Sequence, residues 1–166
     1  MSNESANSPP QASLLELARQ AAGIARNSHL QSINMRSLHV DLLSDPSAEA
    51  REVALENQHR VEHFFTPETT ESPAFLRVRI HFNLLVRDVE RAEELFRLGV
   101  VFDAEYALNR NMPPGVAESL NAFSATNAVL NVWPYYREVV QSTTWRMGLP
   151  PFPLPLFRIT DSTSER

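Results

Sequence analysis

The spacing of apolar residues divides the chain into helical and extended stretches. Near its start, apolar residues recur with the 3.6-residue period of an amphipathic helix from about residue 13 to residue 26. Ser13 and Glu16 have the S-x-x-E spacing in which each side chain satisfies a free backbone N–H at a helix start. The apolar face comprises Leu14, Leu17, Ala18, Ala21, Ala22 and Ala25. This pattern predicts an N-terminal packing or oligomerisation helix.

Four central stretches alternate apolar and polar residues, which is typical of β-strands with one buried face. They span residues 30–43, 52–65, 74–86 and 92–106. The first stretch changes parity near Arg36 and Ser37, which predicts a β-bulge. The short charged segment 87–91 predicts an antiparallel hairpin between the last two strands.

The helical period returns after residue 115. It predicts one helix over residues 116–132 and a second over 134–147, because Pro134 can start a helix but cannot continue one. Gly148 is the expected stop of the second helix. Residues 149–159 contain four prolines and are expected to be extended.

This order of elements predicts an α+β fold. We expect a four-stranded antiparallel sheet with the C-terminal helices packed on one face and an extra N-terminal helix. The polar composition of residues 1–12 and 160–166 predicts two disordered tails around a single domain over residues 13–159.

Composition removes several classes of function. The chain has no Cys, and all 15 of its basic residues are Arg, so thiol, iron–sulfur, Schiff-base and P-loop lysine chemistry are excluded. A net charge of −5 argues against a nucleic-acid partner. Residues 1–12 lack the features of a signal peptide, and no apolar run is long enough to insert in a membrane. We therefore expect a cytoplasmic protein without a cofactor.

One enzyme-like string is present: His59, Glu62 and His63 spell H-x-x-E-H, the inverted zinc-protease signature. That chemistry needs a helix, and the alternation around the string indicates a strand, on which Glu62 points away from both histidines. A zinc peptidase is thus a disfavoured alternative, and no catalytic or metal-binding residue is predicted.

Several segments resemble the SecB family of protein-export chaperones. The string PYYRE at 134–138 is similar to the family's P-Y-x-R-E motif, and GLPPFPL at 148–154 to the family's exit from its main helix. GVVF at 99–102 and INMRSLHVD at 33–41 are similar to two strand motifs. The resemblance covers roughly residues 30–159. The motif residues to which we assign structural roles are Pro134, Tyr135, Arg137, Glu138, Gly148 and Pro150, with Arg137 expected to pair with a neighbouring carboxylate.

The resemblance implies a non-enzymatic, ATP-independent holdase. Its implied state is a homotetramer, a dimer of dimers, and its clients are unfolded or pre-secretory polypeptides or, in SecB-like chaperones of toxin–antitoxin systems, an antitoxin. Apolar residues at expected exposed or loop-flanking positions predict the client groove: Phe64, Phe65, Phe75, Trp133, Tyr136, Phe152 and Leu154.

The SecA translocase motor is a further implied partner. Asp41 and Glu93 are the candidates for the acidic surface that faces it, although Arg36 and Ser37 replace a lysine and an aspartate of the family's first-strand motif. The alternative outside the chaperone class is a non-catalytic adaptor, in which Pro150 and Pro153 supply a P-x-x-P ligand for one partner.

Overall fold

The computed structural model describes residues 14–44, 52–109, 116–149 and 153–157. The elements in chain order are α1 (Leu14–Asn27), β1 (Ser28–Leu42), β2 (Val53–Thr66), β3 (Ala74–Asp88), β4 (Glu94–Leu108), α2 (Val116–Phe123), a π-helical turn (Ser124–Ala128) and α3 (Val129–Arg146). This order confirms the predicted α+β fold. The two predicted tails, Ser13, Pro150 and Phe152 lie outside the described residues.

The four strands form one antiparallel sheet in the order β1-β4-β3-β2. The β3–β4 hairpin is confirmed, and its turn is closed by Asp88, whose Oδ1 accepts hydrogen bonds from the backbone N–H groups of Glu90 and Arg91 at 2.9 and 3.0 Å. Strands β1 and β2 are the two edges of the sheet.

The predicted bulge in β1 is confirmed. The pairing of β1 with β4 shifts between Met35 and Ser37, and it shifts a second time between Leu30 and Ser32. Each extra residue reverses the facing of the residues that follow it. The apolar side chains of β1 therefore stay on one face despite their change of parity.

The core lies between the sheet and the helices. Even-numbered residues of β3 and, from Phe96 onward, of β4 point to the helices and are buried, whereas most odd-numbered residues of β3 are only partly buried. We call these two sides the helix face and the outer face. Helix α1 packs against α2 and buries Ala21 and Ile24, which closes one end of this core.

The prediction that Pro134 starts a second helix was wrong. Pro134 lies inside α3, and the irregularity is the π-helical turn ten residues earlier, where the Thr126 hydroxyl donates to the Ala122 carbonyl at 2.7 Å. Pro134 has no N–H to donate to the Leu130 carbonyl, but both residues are exposed, so water can satisfy that oxygen.

Gly148 ends α3 as predicted. Its φ is 74°, its N–H donates to the Trp145 carbonyl at 3.0 Å, and the Leu149 N–H donates to the Thr144 carbonyl at 3.0 Å. These two bonds form a Schellman motif, which favours glycine at this position. The segment 153–157 that follows has no regular secondary structure. Within the described residues, no helix is long and apolar enough to span a bilayer.

Candidate functional site

The structure separates the residues predicted to form one client groove. Phe64 is 49% exposed and Phe75 partly buried, both on the outer face, whereas the neighbouring Phe65 points to the helix face. Successive residues of a strand face opposite sides, so Phe64 and Phe65 cannot line the same groove. Their roles in client binding, and that of Phe152, remain predictions.

Trp133, Tyr136 and Leu154 lie inside the protein, contrary to the expectation that they are exposed. The Tyr136 ring stacks on Phe82 with a centroid distance of 4.2 Å, and its hydroxyl donates to Asn57 Oδ1 at 2.7 Å. Burial raises the pKa of Tyr136, so its hydroxyl stays protonated. The three side chains therefore belong to the core beneath the surface and expose almost no area to which a client could bind.

An aromatic cluster joins α3 to the margin of the sheet. Trp133 Nε1 donates to the Pro155 carbonyl at 3.1 Å, and the Trp133 and Phe157 ring centroids are 5.1 Å apart. Phe157 in turn contacts His59 of β2 edge-on at 5.5 Å. Partial burial lowers the pKa of His59. The segment 153–157 is thereby held beside β2.

We call this region the β2 margin. It consists of Leu55, His59, Val61 and Phe65, on the helix face of β2, together with the adjoining segment 153–157. Val61 and Phe65 are partly buried against the core, whereas Leu55 is exposed and Leu156 is 70% exposed. Apolar surface beside an unpaired strand edge suits the binding of an extended chain.

The opposite edge carries a second apolar surface, which we call the β1 strip. It comprises Leu30, Met35, Leu38 and Leu42, four large side chains that point to the helix face of β1 and are each at least 40% exposed. An exposed, apolar edge strand of this length is prone to associate with another chain.

The outer face is a network of ion pairs. The Asp103 side chain, only 4% exposed, accepts hydrogen bonds from Arg79 Nε and Nη2 at 2.8 and 2.9 Å, and Arg36 lies 3.5 Å away. The hydrogen bond from Arg79 lowers the pKa of Asp103, against the opposing effect of burial. Arg77 also pairs with a carboxylate, and its Nη2 lies 2.9 Å from Glu105 Oε1.

This face carries one of the two residues predicted to form an acidic surface, Asp41. Asp41 lies 3.1 Å from His39 Nε2, and Glu93 belongs to the β3–β4 connection. Each arginine that points to the outer face is within ion-pair distance of a carboxylate of the same face: Arg36, Arg60, Arg77, Arg79, Arg87 and Arg97. The positive and negative charges therefore offset one another, and a role of Asp41 and Glu93 toward SecA remains a prediction.

We expect Asp103→Asn to lower the free energy of unfolding by about 1–3 kcal/mol at neutral pH, because the bidentate pairing with Arg79 is lost. A lowered pKa in the folded state means that the carboxylate stabilises the protein above the unfolded-state pKa of about 3.9, and that this contribution disappears as the pH falls through the lower folded value. Urea denaturation at neutral and acidic pH checks this, since the difference in unfolding free energy between the wild type and the variant should shrink on acidification.

Glu105→Gln is the control, and we expect a smaller effect on the unfolding free energy because the Glu105 side chain is 25% exposed. A difference independent of pH would contradict the assignment.

Arg137 has a different environment from the other motif residues. Pro134, Tyr135 and Glu138 lie on the exposed side of α3. Arg137 is partly buried, and its Nε is a buried donor without an acceptor. The expected carboxylate partner is not found among the described residues.

The H-x-x-E-H string lies on β2, as predicted. Its two histidines point to the helix face, whereas Glu62 points to the outer face and pairs with Arg60 at 3.0 Å. Within the described parts of the chain, no group of three or more His, Asp or Glu side chains is placed to hold a metal.

The sequence pattern could have placed His59 at the margin, because His59 occupies an odd-numbered position of β2, as Leu55 and Val61 do, and alternate residues of a strand share a face. No local pattern indicates that Arg137 lacks a partner. That feature depends on which residues the tertiary fold brings near α3.

Comparisons with known proteins agree with this architecture. Neither the scan against protein-family models nor the search of curated proteins finds a match to this sequence. Among solved structures, the fold is similar to that of the SecB-like chaperone Rv1957 of Mycobacterium tuberculosis, in complex with a ChAD peptide from the Rv1956 HigA1 antitoxin. The two chains are 21% identical and superpose with a TM-score of 0.72 over 85% of this chain and 98% of the other. This chain therefore has a SecB-like fold.

Proposed function

We propose that this protein is an ATP-independent holdase that binds unfolded polypeptides at the β2 margin. The observation that carries the proposal is the outer edge of β2, a 14-residue strand that no other strand pairs with among the described residues and that lies next to exposed apolar side chains. An extended client can add to such an edge through its backbone N–H and C=O groups. Because every polypeptide has the same backbone, this mode gives affinity with little sequence selectivity.

Apolar contacts supply the rest of the affinity. A client side chain that covers Leu55 or Leu156 removes exposed apolar surface from water, which contributes about 25 cal/mol per Å² buried. Val61 and Phe65 pack against the buried core, and the stacked Tyr136 and Phe82 rings fill the part of that core next to His59. The margin is therefore preorganised, which reduces the ordering cost of binding.

The solved neighbour favours an antitoxin over a pre-secretory protein as the client. Rv1957 is a SecB-like chaperone whose solved complex contains an antitoxin-derived peptide. We therefore propose an antitoxin-type client for this chain.

We also propose that a second copy of the chain covers the β1 strip. The strip combines four exposed apolar side chains with a free strand edge, the combination that natural proteins cover by association. Pairing there leaves β2 free for a client. The tetramer implied by the sequence resemblance is consistent with such a contact.

Hydrogen exchange with and without an unfolded client tests the location of the site. We expect the backbone amides of residues 53–66 to exchange more slowly when client is bound, because an added strand bonds to their outer edge. The β3–β4 turn should be unaffected. Protection confined to other elements, with binding intact, would contradict the β2 margin as the site.

A pair of matched variants complements this measurement. Leu55→Ser should weaken client binding several-fold, whereas Leu15→Ser should not, since Leu15 is an exposed leucine on α1 and is not part of the β2 margin. Equal effects of the two substitutions on client affinity would contradict a contact at Leu55.

A further inference from the structure

We propose that the clients held at the β2 margin are apolar segments that contain an acidic residue, whose carboxylate binds Arg137. This inference rests on the proposed function and specifies the client that the margin accepts. Three features carry it: the unpartnered guanidinium, its position on α3, and the chemical fit between a guanidinium and a carboxylate.

The first feature is the guanidinium itself. Arg137 is partly buried, and its Nε has neither solvent access nor a hydrogen-bond acceptor. A buried donor of this kind is costly to leave unsatisfied, so an acceptor that reaches it is bound favourably. Among the described residues, no carboxylate lies within ion-pair distance of Arg137, in contrast to the arginines of the outer face.

The second feature is position. Arg137 follows Trp133 by four residues in α3, and side chains at this spacing are neighbours on one flank of a helix. Trp133 is the residue that donates to Pro155 and contacts Phe157, and Phe157 contacts His59 of the margin. Arg137 therefore flanks the aromatic cluster beside which an extended client would lie.

The third feature is the chemistry that fits. A guanidinium presents Nε and one Nη as a planar fork, which matches the two oxygens of a carboxylate and not the single acceptor of an amide or hydroxyl. Glu138 is the adjacent residue and points about 100° away around the helix, so it cannot supply these oxygens. Burial lowers the pKa of His59, so among the described residues on this side of the margin Arg137 supplies the permanent positive charge. An Asp or Glu side chain within an apolar client segment supplies the two carboxylate oxygens that match the Arg137 guanidinium.

Three fluorescent peptides test the proposal: one apolar sequence with Asp, Asn or Lys at its centre. We expect the wild-type protein to bind the Asp peptide about tenfold more tightly than the Asn peptide, and the Lys peptide least well. Arg137→Gln should abolish this preference while it changes the affinity for the Asn peptide by less than about twofold. Fluorescence anisotropy gives the dissociation constants.

Two further variants make the test specific. Arg146→Gln removes an exposed arginine from the last turn of the same helix, and it should keep the full preference. Arg137→Lys keeps the charge without the fork, and we expect part of the preference to return. This second variant also tests the assignment if Arg137→Gln does not fold.

Other outcomes would overturn the proposal. Equal binding of the three peptides by the wild type, or a preference that persists in Arg137→Gln, would show that the carboxylate does not contact Arg137. A change in the size of the assembly by light scattering without a change in preference would assign Arg137 to a contact between copies. Failure of every peptide and of an unfolded protein to bind would instead refute the proposed function itself.

Discussion

Phe82→Ala should lower the free energy of unfolding by about 3–5 kcal/mol, the usual cost of deleting a buried phenylalanine side chain. Phe82 is 0% exposed, stacks on Tyr136 at 4.2 Å and meets Trp133 edge-on at 5.8 Å. Its removal leaves a cavity between β3 and α3 that rigid neighbours cannot fill. Urea denaturation measures this loss directly, and the melting temperature should fall by roughly 6–20 °C.

Phe64→Ala is the matched control. It deletes the same side chain from a position that is 49% exposed on the outer face. There the guanidinium carbon of Arg79 lies over the Phe64 ring, 5.8 Å from the ring centroid. We expect a loss below about 1 kcal/mol. Equal losses for the two variants would contradict the separation of these phenylalanines into core and surface.

Tyr136 is buried beside Phe82, and this limits what a substitution of Tyr136 can show about client binding. Tyr136→Ser removes the ring that stacks on Phe82 and the hydroxyl that bonds Asn57, so we expect unfolding to accompany any loss of client binding. Tyr136 is therefore unsuitable as a probe of direct client contact. Leu55 and Arg137 are better probes, because neither belongs to the buried core.

Leu38→Asp should convert the proposed assembly to monomers. Leu38 is 40% exposed in the middle of the β1 strip, and a second copy that covers the strip would have to bury the new carboxylate without a partner. Such a penalty amounts to several kcal/mol, so we expect the dissociation constant between copies to rise by at least about 100-fold. Size-exclusion chromatography with light scattering measures the change in mass.

Leu55→Asp is the control for that experiment. Leu55 is 38% exposed on the other edge strand and points to the same face of the sheet, so the substitution is chemically equivalent. It should leave the assembly intact. A monomeric wild-type protein, or an assembly that tolerates Leu38→Asp, would contradict the β1 strip as the contact between copies.

The strand pattern could be predicted from the sequence because a half-buried sheet imposes a period of two. Every even-numbered residue of 74–86 is apolar and most odd-numbered ones are polar, and the parity change near Arg36 indicated a bulge that the structure confirms. The Schellman stop at Gly148 was also predictable, since a positive φ favours glycine.

Burial within the helical part was not predictable in the same way. Trp133, Tyr136 and Leu154 were expected at the surface because an aromatic, proline-rich segment is as compatible with a groove as with a core. Their burial depends on how α3 crosses the sheet, which no local pattern encodes. The π-helical turn at Ser124–Ala128 was missed because proline is a stronger local signal than the polar residues that form the turn.

The candidate site was predicted only in part. Phe65 was named and lies at the β2 margin, but Phe64 and Phe75 point to the other face, a separation that strand parity could have indicated for Phe64 and Phe65. Asp41 lies 3.1 Å from His39 Nε2, and its role toward SecA remains a prediction. Ion pairing between residues of different strands is a tertiary property, so the arginine–carboxylate pairs of the outer face could not be inferred from charge counts.

The most direct test of the holdase function compares binding to the unfolded and native forms of one slow-folding, fluorescently labelled polypeptide, without nucleotide. We predict tight binding to the unfolded form alone, since only an extended chain can pair with the free edge of β2. Binding to neither form, or equal binding to both, would contradict the holdase function and leave the SecB-like fold without a chaperone role.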